Sequence, residues 1–205
     1  MEENTQYPQS GCGTDKAIIG CRFSLSVMAD DYVTKILNAL SKVDTSYVWS
    51  ETDLLSTTYR GHKRNVINTL KELFMTINDN ETHITLEATL SKGCPGDTED
   101  DIPIAFAPVQ MDTSSKDFVV HAKIAFYPLG KVDYMDHIAD VVNLAIGHGI
   151  YEKSSHYATQ LYGDVHKLFN YFHEIFDYAD KQIDHFIYQV TLSINSPSLR
   201  SDKDV

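Results

Sequence analysis

The segment from Trp49 to Thr57 combines an aromatic ring with several hydrogen-bonding side chains. Thr52 and Asp53 lie between the indole and Thr57, so hydroxyl and carboxylate groups follow the ring closely. Flat heterocyclic ligands are held by apolar surfaces against the ring and by a few directed donors and acceptors at its edge. An ionised carboxylate only accepts hydrogen bonds, whereas a hydroxyl also donates. The segment is therefore a candidate site for a flat heterocycle.

A similar combination recurs in the second half of the chain. Tyr151 precedes Ser155 and His156, and Thr159 follows them. Each of the two segments comes shortly before a predicted helix. Composition alone leaves an alternative, in which the Thr and Ser residues only form turns and Trp49 belongs to the core.

Other reactive side chains do not form a recognisable catalytic motif. The sequence has no phosphate-binding glycine-rich loop, no Gly-x-Ser-x-Gly motif and no zinc-type histidine pair. His166 and His173 are spaced too far apart for a usual metal pair, and we interpret His83 as a hydrogen-bonding residue of a sheet. Acidic neighbours of Cys94 oppose a thiolate. We therefore predict no catalytic residues, no metal site and no cofactor.

The candidate segments belong to two halves of one repeat. A shift of 102 places aligns many residue types in one register: Tyr32 with Tyr134, Thr57 with Thr159, Gly61 with Gly163, Asn68 with Asn170 and His83 with His185. Such self-similarity indicates a duplicated supersecondary unit. Any small-molecule site is then expected once per half. The first strands align at a shift of 101, which predicts one extra residue near Gly130.

Each half shows the periodicities of a β-α-β-β-α-β unit. Alternating apolar residues predict strands, and apolar residues at i, i+3, i+4 and i+7 predict helices. The expected fold is α+β, with tandem ferredoxin-like repeats, antiparallel sheets and helices on one face. We expect repeats at 17–97 and 118–198 and a linker at 98–117. The uncovered face of each sheet is expected to pack against the other repeat or another subunit.

Charge and cysteine content restrict the possible partners. The formal net charge is −12 and the isoelectric point is about 5.0, which argues against nucleic acid and anionic membranes. The polar residues 1–16 and the lack of long apolar runs predict no membrane insertion. Three cysteines, an odd number, argue against a disulfide framework, so a cytoplasmic location is expected.

Several short motifs of the sequence can be compared with known families. They are Cys21-Arg22-Phe23-Ser24-Leu25, Val48-Trp49, Thr52-Asp53, Ser56-Thr57, Arg60-Gly61, Gly93-Cys94-Pro95-Gly96-Asp97-Thr98, Tyr127-Pro128, Asp133-Tyr134-Met135, His156-Tyr157-Ala158, Gly163-Asp164 and Ser193-x-Asn195-Ser196-Pro197-Ser198. Together these motifs resemble the YkoF family of thiamin- and hydroxymethylpyrimidine-binding proteins, and the resemblance covers about residues 11–198.

The resemblance implies a cytoplasmic, non-catalytic homodimer linked to uptake and salvage of a thiamin precursor, with a transporter as a possible partner. It implies one pocket per repeat for thiamin or its hydroxymethylpyrimidine moiety. The residues expected to bind the ligand are Met28, Trp49, Thr52, Asp53, Thr57, Tyr127, Leu129, Ser155, His156 and Thr159. Asp53 is expected to accept hydrogen bonds from the aminopyrimidine edge.

The two expected pockets are not identical. The second repeat carries Tyr127-Pro128-Leu129, but the first has Ser26-Val27-Met28 and so lacks an aromatic wall and a rigid turn. We therefore predict that the sites differ in affinity and that the first is the weaker. The alternative function is a small enzyme, an oxygenase or a pyrimidine-processing hydrolase, because dimeric ferredoxin-like folds also host such activities.

Overall fold

The computed structural model describes residues 18–92 and 116–199, and each block forms one β-α-β-β-α-β unit. The predicted α+β fold is confirmed. The first unit consists of β1 (Ile18–Val27), α1 (Tyr32–Leu40), β2 (Trp49–Thr52), β3 (Thr57–His62), α2 (Lys63–Ile77) and β4 (Ile84–Lys92). The second consists of β5 (Val119–Pro128), α3 (Tyr134–Gly147), β6 (Tyr151–Ser155), β7 (Ala158–Asp164), α4 (Val165–Gln182) and β8 (Phe186–Ile194).

The two units share a single antiparallel sheet. Its eight strands run in the order β2-β3-β1-β4-β8-β5-β7-β6. Strands β4 and β8 join the units along a ladder from Ile84 opposite Ile194 to Lys92 opposite Phe186. Of the two coverings expected for the sheet face, packing against the other repeat is therefore excluded, and packing against another subunit stays a prediction. Edge pairing satisfies the backbone groups of both strands, which a face-to-face arrangement would leave unpaired.

All four helices cover one face of this sheet, and the core lies between them. Side chains of β1 alternate, so that Cys21 and Phe23 are buried under the helices while Arg22 is exposed on the other face. The second face is called the open face below. Among the described residues no helix packs on it.

The helices are not equally buried. Helices α2 and α4 contact each other at the centre and carry long buried stripes, whereas α1 and α3 lie outside them. Two apolar residues of α1, Val33 and Leu37, are 52% and 60% exposed. An outer helix has a packing partner on one side only, so its wide apolar stripe is incompletely covered. Within the described residues, no helix is long and apolar enough to cross a membrane.

A group of ion pairs fastens the two units on the helix side. Asp180 of α4 contacts the ammonium groups of both Lys63 on α2 and Lys92 on β4, and Lys63 also lies 2.7 Å from Asp177. The carboxylate of Asp180 is 17% exposed and the Lys92 ammonium-bearing side chain 6%. These charges are thus shielded from solvent and neutralise one another.

The loop after the first strand differs between the repeats as predicted. Met28 N–H donates to the His83 carbonyl at 3.0 Å, and Leu129 N–H donates to the His185 carbonyl at 2.9 Å. From those equivalent contacts the chain needs one more residue to reach α3 than to reach α1. Gly130 has φ +73°, a conformation that glycine adopts without a steric cost. The extra residue near Gly130 is confirmed.

Candidate functional site

The turn between β2 and β3 is organised by the carboxylate of Asp53. Its Oδ1 accepts hydrogen bonds from the backbone amides of Leu55 at 2.7 Å and Ser56 at 2.8 Å. The Asp53 amide in turn donates to the Ser56 carbonyl at 3.0 Å. The amide of Leu55, then that of Ser56, lowers the pKa of the Asp53 carboxyl. Asp53 is consequently held as an anion in a fixed position.

Asp53 lines a cavity on the open face. The cavity has a volume of about 540 Å³, a size typical of small-molecule sites. Its floor is the sheet and one wall is the β2–β3 turn. The lining consists of Arg22, Phe23, Ser24, Asp53, Leu55, Ser56, Glu87, Ala88, Thr89, Gln189, Val190 and Thr191.

The lining offers charged and hydroxyl groups above an extended backbone. Arg22 and Glu87 are exposed side chains of neighbouring strands, and Arg22 helps to keep the Asp53 pKa low. Thr89 and Thr191 add hydroxyls from the two central strands. The cavity can therefore hold a polar, flat ligand through acceptors and donors on several sides.

The other predicted residues of this hairpin lie on both sides of the sheet. Trp49 lies opposite Arg60, at a position that belongs to the open face, and is half-buried. Thr57 is opposite the buried Phe23, which places it on the helix side. The hydroxyls of Thr52 and Thr57 are 3.0 Å apart. Thr52 and Asp53 are thus not brought to one face of the hairpin.

The β6–β7 hairpin occupies the equivalent place in the second repeat. Ser155 pairs with Ala158 and is half-buried, and His156 is exposed at the tip. Tyr157 follows with φ +61° and is 97% exposed. Thr159 is 8% exposed and opposite Ile124, so it lies under the helices. Ser155 holds the position of Asp53 but brings no carboxylate to the turn.

Met28, Tyr127 and Leu129 lie at the ends of the first strands of the two repeats. Their side chains are 53%, 43% and 41% exposed, respectively. Tyr127 pairs with Ile187 and belongs to the open face. Because β1 and β5 run in opposite directions in the sheet, Met28 and Leu129 lie at opposite ends of it. Of the ten predicted residues, Asp53 is the one that lines the cavity described above.

Sequence reasoning missed the residues at the centre of the sheet. Glu87, Thr89, Gln189 and Thr191 alternate with buried residues of β4 and β8, a pattern of polar residues on one face. That alternation was a usable signal for an open face. It did not reveal that strands from different repeats would meet there.

A second concave region lies between α3 and α4 on the helix side. Its volume is about 640 Å³. Tyr178 donates to Asp140 at 2.6 Å and accepts from Nδ1 of the buried His137 at 2.7 Å, and His148 lies 2.9 Å from Glu174. Burial, followed by the hydrogen bond to Asp140, raises the pKa of Tyr178. These contacts link α3 to α4.

The histidines singled out in the sequence have identified partners. His83 Nε2 lies 3.1 Å from the hydroxyl of Ser193, which confirms its hydrogen-bonding role in the sheet. His166 contacts Asp117, and His173 contacts Asn68. Within residues 18–92 and 116–199, no group of three or more His, Cys, Asp or Glu residues could hold a metal ion. Cys21 is a free, buried thiol, and Cys94 lies outside the described residues.

Comparison with known proteins identifies the family of this chain and a similar protein. The model of the YKOF-related family matches residues 18–97 and again residues 119–199. A Bacillus subtilis (strain 168) protein named "Putative HMP/thiamine-binding protein YkoF" is 37% identical over 195 residues. The alignment covers 94% of this chain and 97% of the relative. Two matches to one family model agree with the two structural repeats.

Proposed function

This chain belongs to the YKOF-related family, and from that membership we propose that it binds thiamin or its hydroxymethylpyrimidine moiety without altering it chemically. The observation that carries the proposal is the similarity to a relative whose name states that it binds these compounds. The two proteins are 37% identical over almost the full length of both chains. Because that name describes the relative, the residues of this chain must themselves be able to bind such a ligand.

The open-face cavity meets the chemical requirements of such a ligand. An aminopyrimidine presents an amino donor beside ring-nitrogen acceptors. The anionic Asp53 is an acceptor for the amino group, and the hydroxyls of Thr89 and Thr191 are donors for the ring nitrogens. In this proposal the pyrimidine lies on the sheet between the β2–β3 turn and the central strands.

We propose one such pocket in each repeat. In the second repeat the corresponding turn carries Ser155 and His156, with Lys123 on the adjacent strand. Trp49, Tyr127, Met28 and Leu129 remain proposed contacts near the rims. Thr52, Thr57 and Thr159 remain proposed contacts for a ligand that also reaches the helix side of the hairpins.

A homodimer formed through the open face is part of the same proposal. Half of the shared sheet surface has no covering element among the described residues, and Ile187, Ala125 and Tyr127 contribute apolar groups to it. The hairpin tips carry the solvent-exposed Leu54, Leu55 and Tyr157. A second copy would cover these groups and close the cavities against solvent.

We place this role in the cytoplasm, in uptake and salvage of the thiamin precursor, with a transporter as a possible partner. The free, buried thiol of Cys21 suits a reducing compartment. The proposal is tested by calorimetric titration of stripped protein with thiamin and hydroxymethylpyrimidine, followed by mass spectrometry of the recovered ligand. Recovery of a chemically changed ligand would favour the enzyme alternative.

A further inference from the structure

The open-face cavity crosses the axis that relates the two repeats. Ala88 lies opposite Val190 in the β4–β8 ladder, and the same two residues are separated by the repeat shift of 102 places. A local two-fold axis therefore passes between them. Thr89 and Thr191 are also equivalent, and both line the cavity. The first-repeat cavity thus includes groups from both repeats.

The sheet register fixes which charged residues correspond. Arg22 lies between Thr58 and Thr89. Lys123 lies between Gln160 and Thr191, which are the residues 102 places further on. Arg22 and Lys123 are hence structural equivalents, even though the loop insertion makes their sequence shift 101.

The equivalent positions differ in net charge. The first-repeat set of Arg22, Asp53 and Glu87 has one positive and two negative groups, a net charge of −1. The second-repeat set is Lys123, Ser155 and Gln189, which has one positive group and a net charge of +1. All these side chains are exposed or half-buried on the open face or its hairpins, so the difference lies where a ligand would bind.

We propose that the two repeats select ligands by charge. Glu87 favours a cationic heterocycle at the first repeat, and its uncharged equivalent Gln189 provides no such preference at the second. The inference rests on the proposed function and deepens it. Thiamin carries a positive thiazolium ring, whereas hydroxymethylpyrimidine is uncharged. A carboxylate beside the thiazolium stabilises the bound cation, and the uncharged ligand has nothing equivalent to gain.

The experiment uses the full chain, stripped of ligand, and compares Glu87→Gln with the matched substitution Gln189→Glu. Isothermal titration is carried out with thiamin and with hydroxymethylpyrimidine. For Glu87→Gln, we expect thiamin affinity at one site to fall about fivefold, as loss of one partly exposed charge pair implies. Hydroxymethylpyrimidine affinity should stay within about twofold. Gln189→Glu should raise thiamin affinity at the second site, because Gln189 lies opposite Ala125 of that repeat, and also at the first site, whose cavity Gln189 lines.

Salt provides an independent readout that needs no substitution. Thiamin binding by the wild-type chain should weaken as ionic strength rises, and hydroxymethylpyrimidine binding should not. The inference is overturned if Glu87→Gln changes both affinities by the same factor, or changes neither, while the wild-type chain binds both ligands. A wild-type chain that binds neither ligand overturns the proposed function, and this inference with it. Thermal unfolding of each variant checks that it is folded.

Discussion

The carboxylate of Asp53 accepts a hydrogen bond from the backbone amide of Leu55 at 2.7 Å, across the turn that joins β2 and β3. The same carboxylate lines the open-face cavity. One side chain thus shapes the hairpin and supplies negative charge to the proposed ligand site. The two contributions can be separated by substitution.

Asp53→Asn is expected to preserve the turn and weaken binding. An asparagine carbonyl oxygen accepts the same amide hydrogen bonds but carries no charge. Thiamin affinity should fall about fivefold at the first site, with little change in melting temperature. Asp53→Ala loses the turn contacts as well and should melt at a lower temperature. Titration and thermal unfolding, done side by side, check both expectations; unchanged affinity in Asp53→Asn would remove Asp53 from the site.

Stability is expected to depend on the protonation of His173. Burial lowers the pKa of this residue to about 4, and its Nε2 lies 2.9 Å from Oδ1 of Asn68. The unfolded imidazole, with a pKa of about 6.5, binds a proton more readily than the folded one. The stabilising contribution is therefore present above about pH 6.5 and is lost as the pH falls through about 4.

The size of this loss can be measured against a His173→Gln variant, whose amide can still donate to Asn68. Between pH 7 and pH 4 the free energy of unfolding of the wild-type chain should fall by roughly 3 kcal/mol more than that of the variant. Denaturant titrations across this range supply the values. Parallel pH profiles would show that His173 does not remain neutral in the folded chain.

The ion pairs of Asp180 are expected to hold the repeats together. Asp180→Asn leaves Lys92 buried without a carboxylate partner, and such a loss typically costs about 3 kcal/mol. The matched variant is Asp177→Asn, because that carboxylate also contacts Lys63 but is 40% exposed. It should cost less than about 1 kcal/mol. Chemical denaturation compares them, and equal costs would contradict the importance of burial.

The proposed dimer interface is tested at Ala125, which is half-buried on the open face of β5, opposite Gln189 on β8. In an isolated chain a glutamate at this position can point to solvent, so Ala125→Glu should fold. In a dimer it would bury a charge, and the assembly should dissociate.

Ala139→Glu, on the exposed side of α3, is the matched control. Light scattering should give twice the chain mass of 23.1 kDa for wild type and control, and the chain mass for Ala125→Glu. A dimeric Ala125→Glu variant would locate the interface elsewhere.

The repeat and its elements could be predicted because local periodicity determines which side chains face a core. The alternation of buried and exposed residues along β1 was visible in the sequence for this reason. The one-residue insertion near Gly130 was visible because the repeat shift changes from 101 to 102. Periodicity does not state which strands become neighbours. The pairing of Ala88 with Val190 joins residues that are far apart in the chain, so the shared sheet was not foreseen.

The part of the candidate site that lies within one hairpin was predictable, and the part contributed by strands of both repeats was not. Turn-forming and acceptor chemistry singled out Asp53 within its hairpin. Glu87 and Gln189 enter the cavity through the β4–β8 ladder, a contact between repeats that no local pattern encodes. Thr57 was grouped with Asp53, and Thr159 with Ser155, by sequence proximity, although the pleat of a strand sends neighbouring side chains to opposite faces.

The most direct test of the account is isothermal titration of the stripped full-length chain with hydroxymethylpyrimidine and thiamin, with the recovered ligand analysed by mass spectrometry. We predict binding at up to two sites per chain and recovery of unchanged ligand. For the uncharged pyrimidine the sites should be unequal, with the weaker one sensitive to Asp53→Asn and the tighter one to Ser155→Ala. Absence of binding heat with either compound, or a chemically altered product, would contradict the proposal of a non-catalytic thiamin-binding protein.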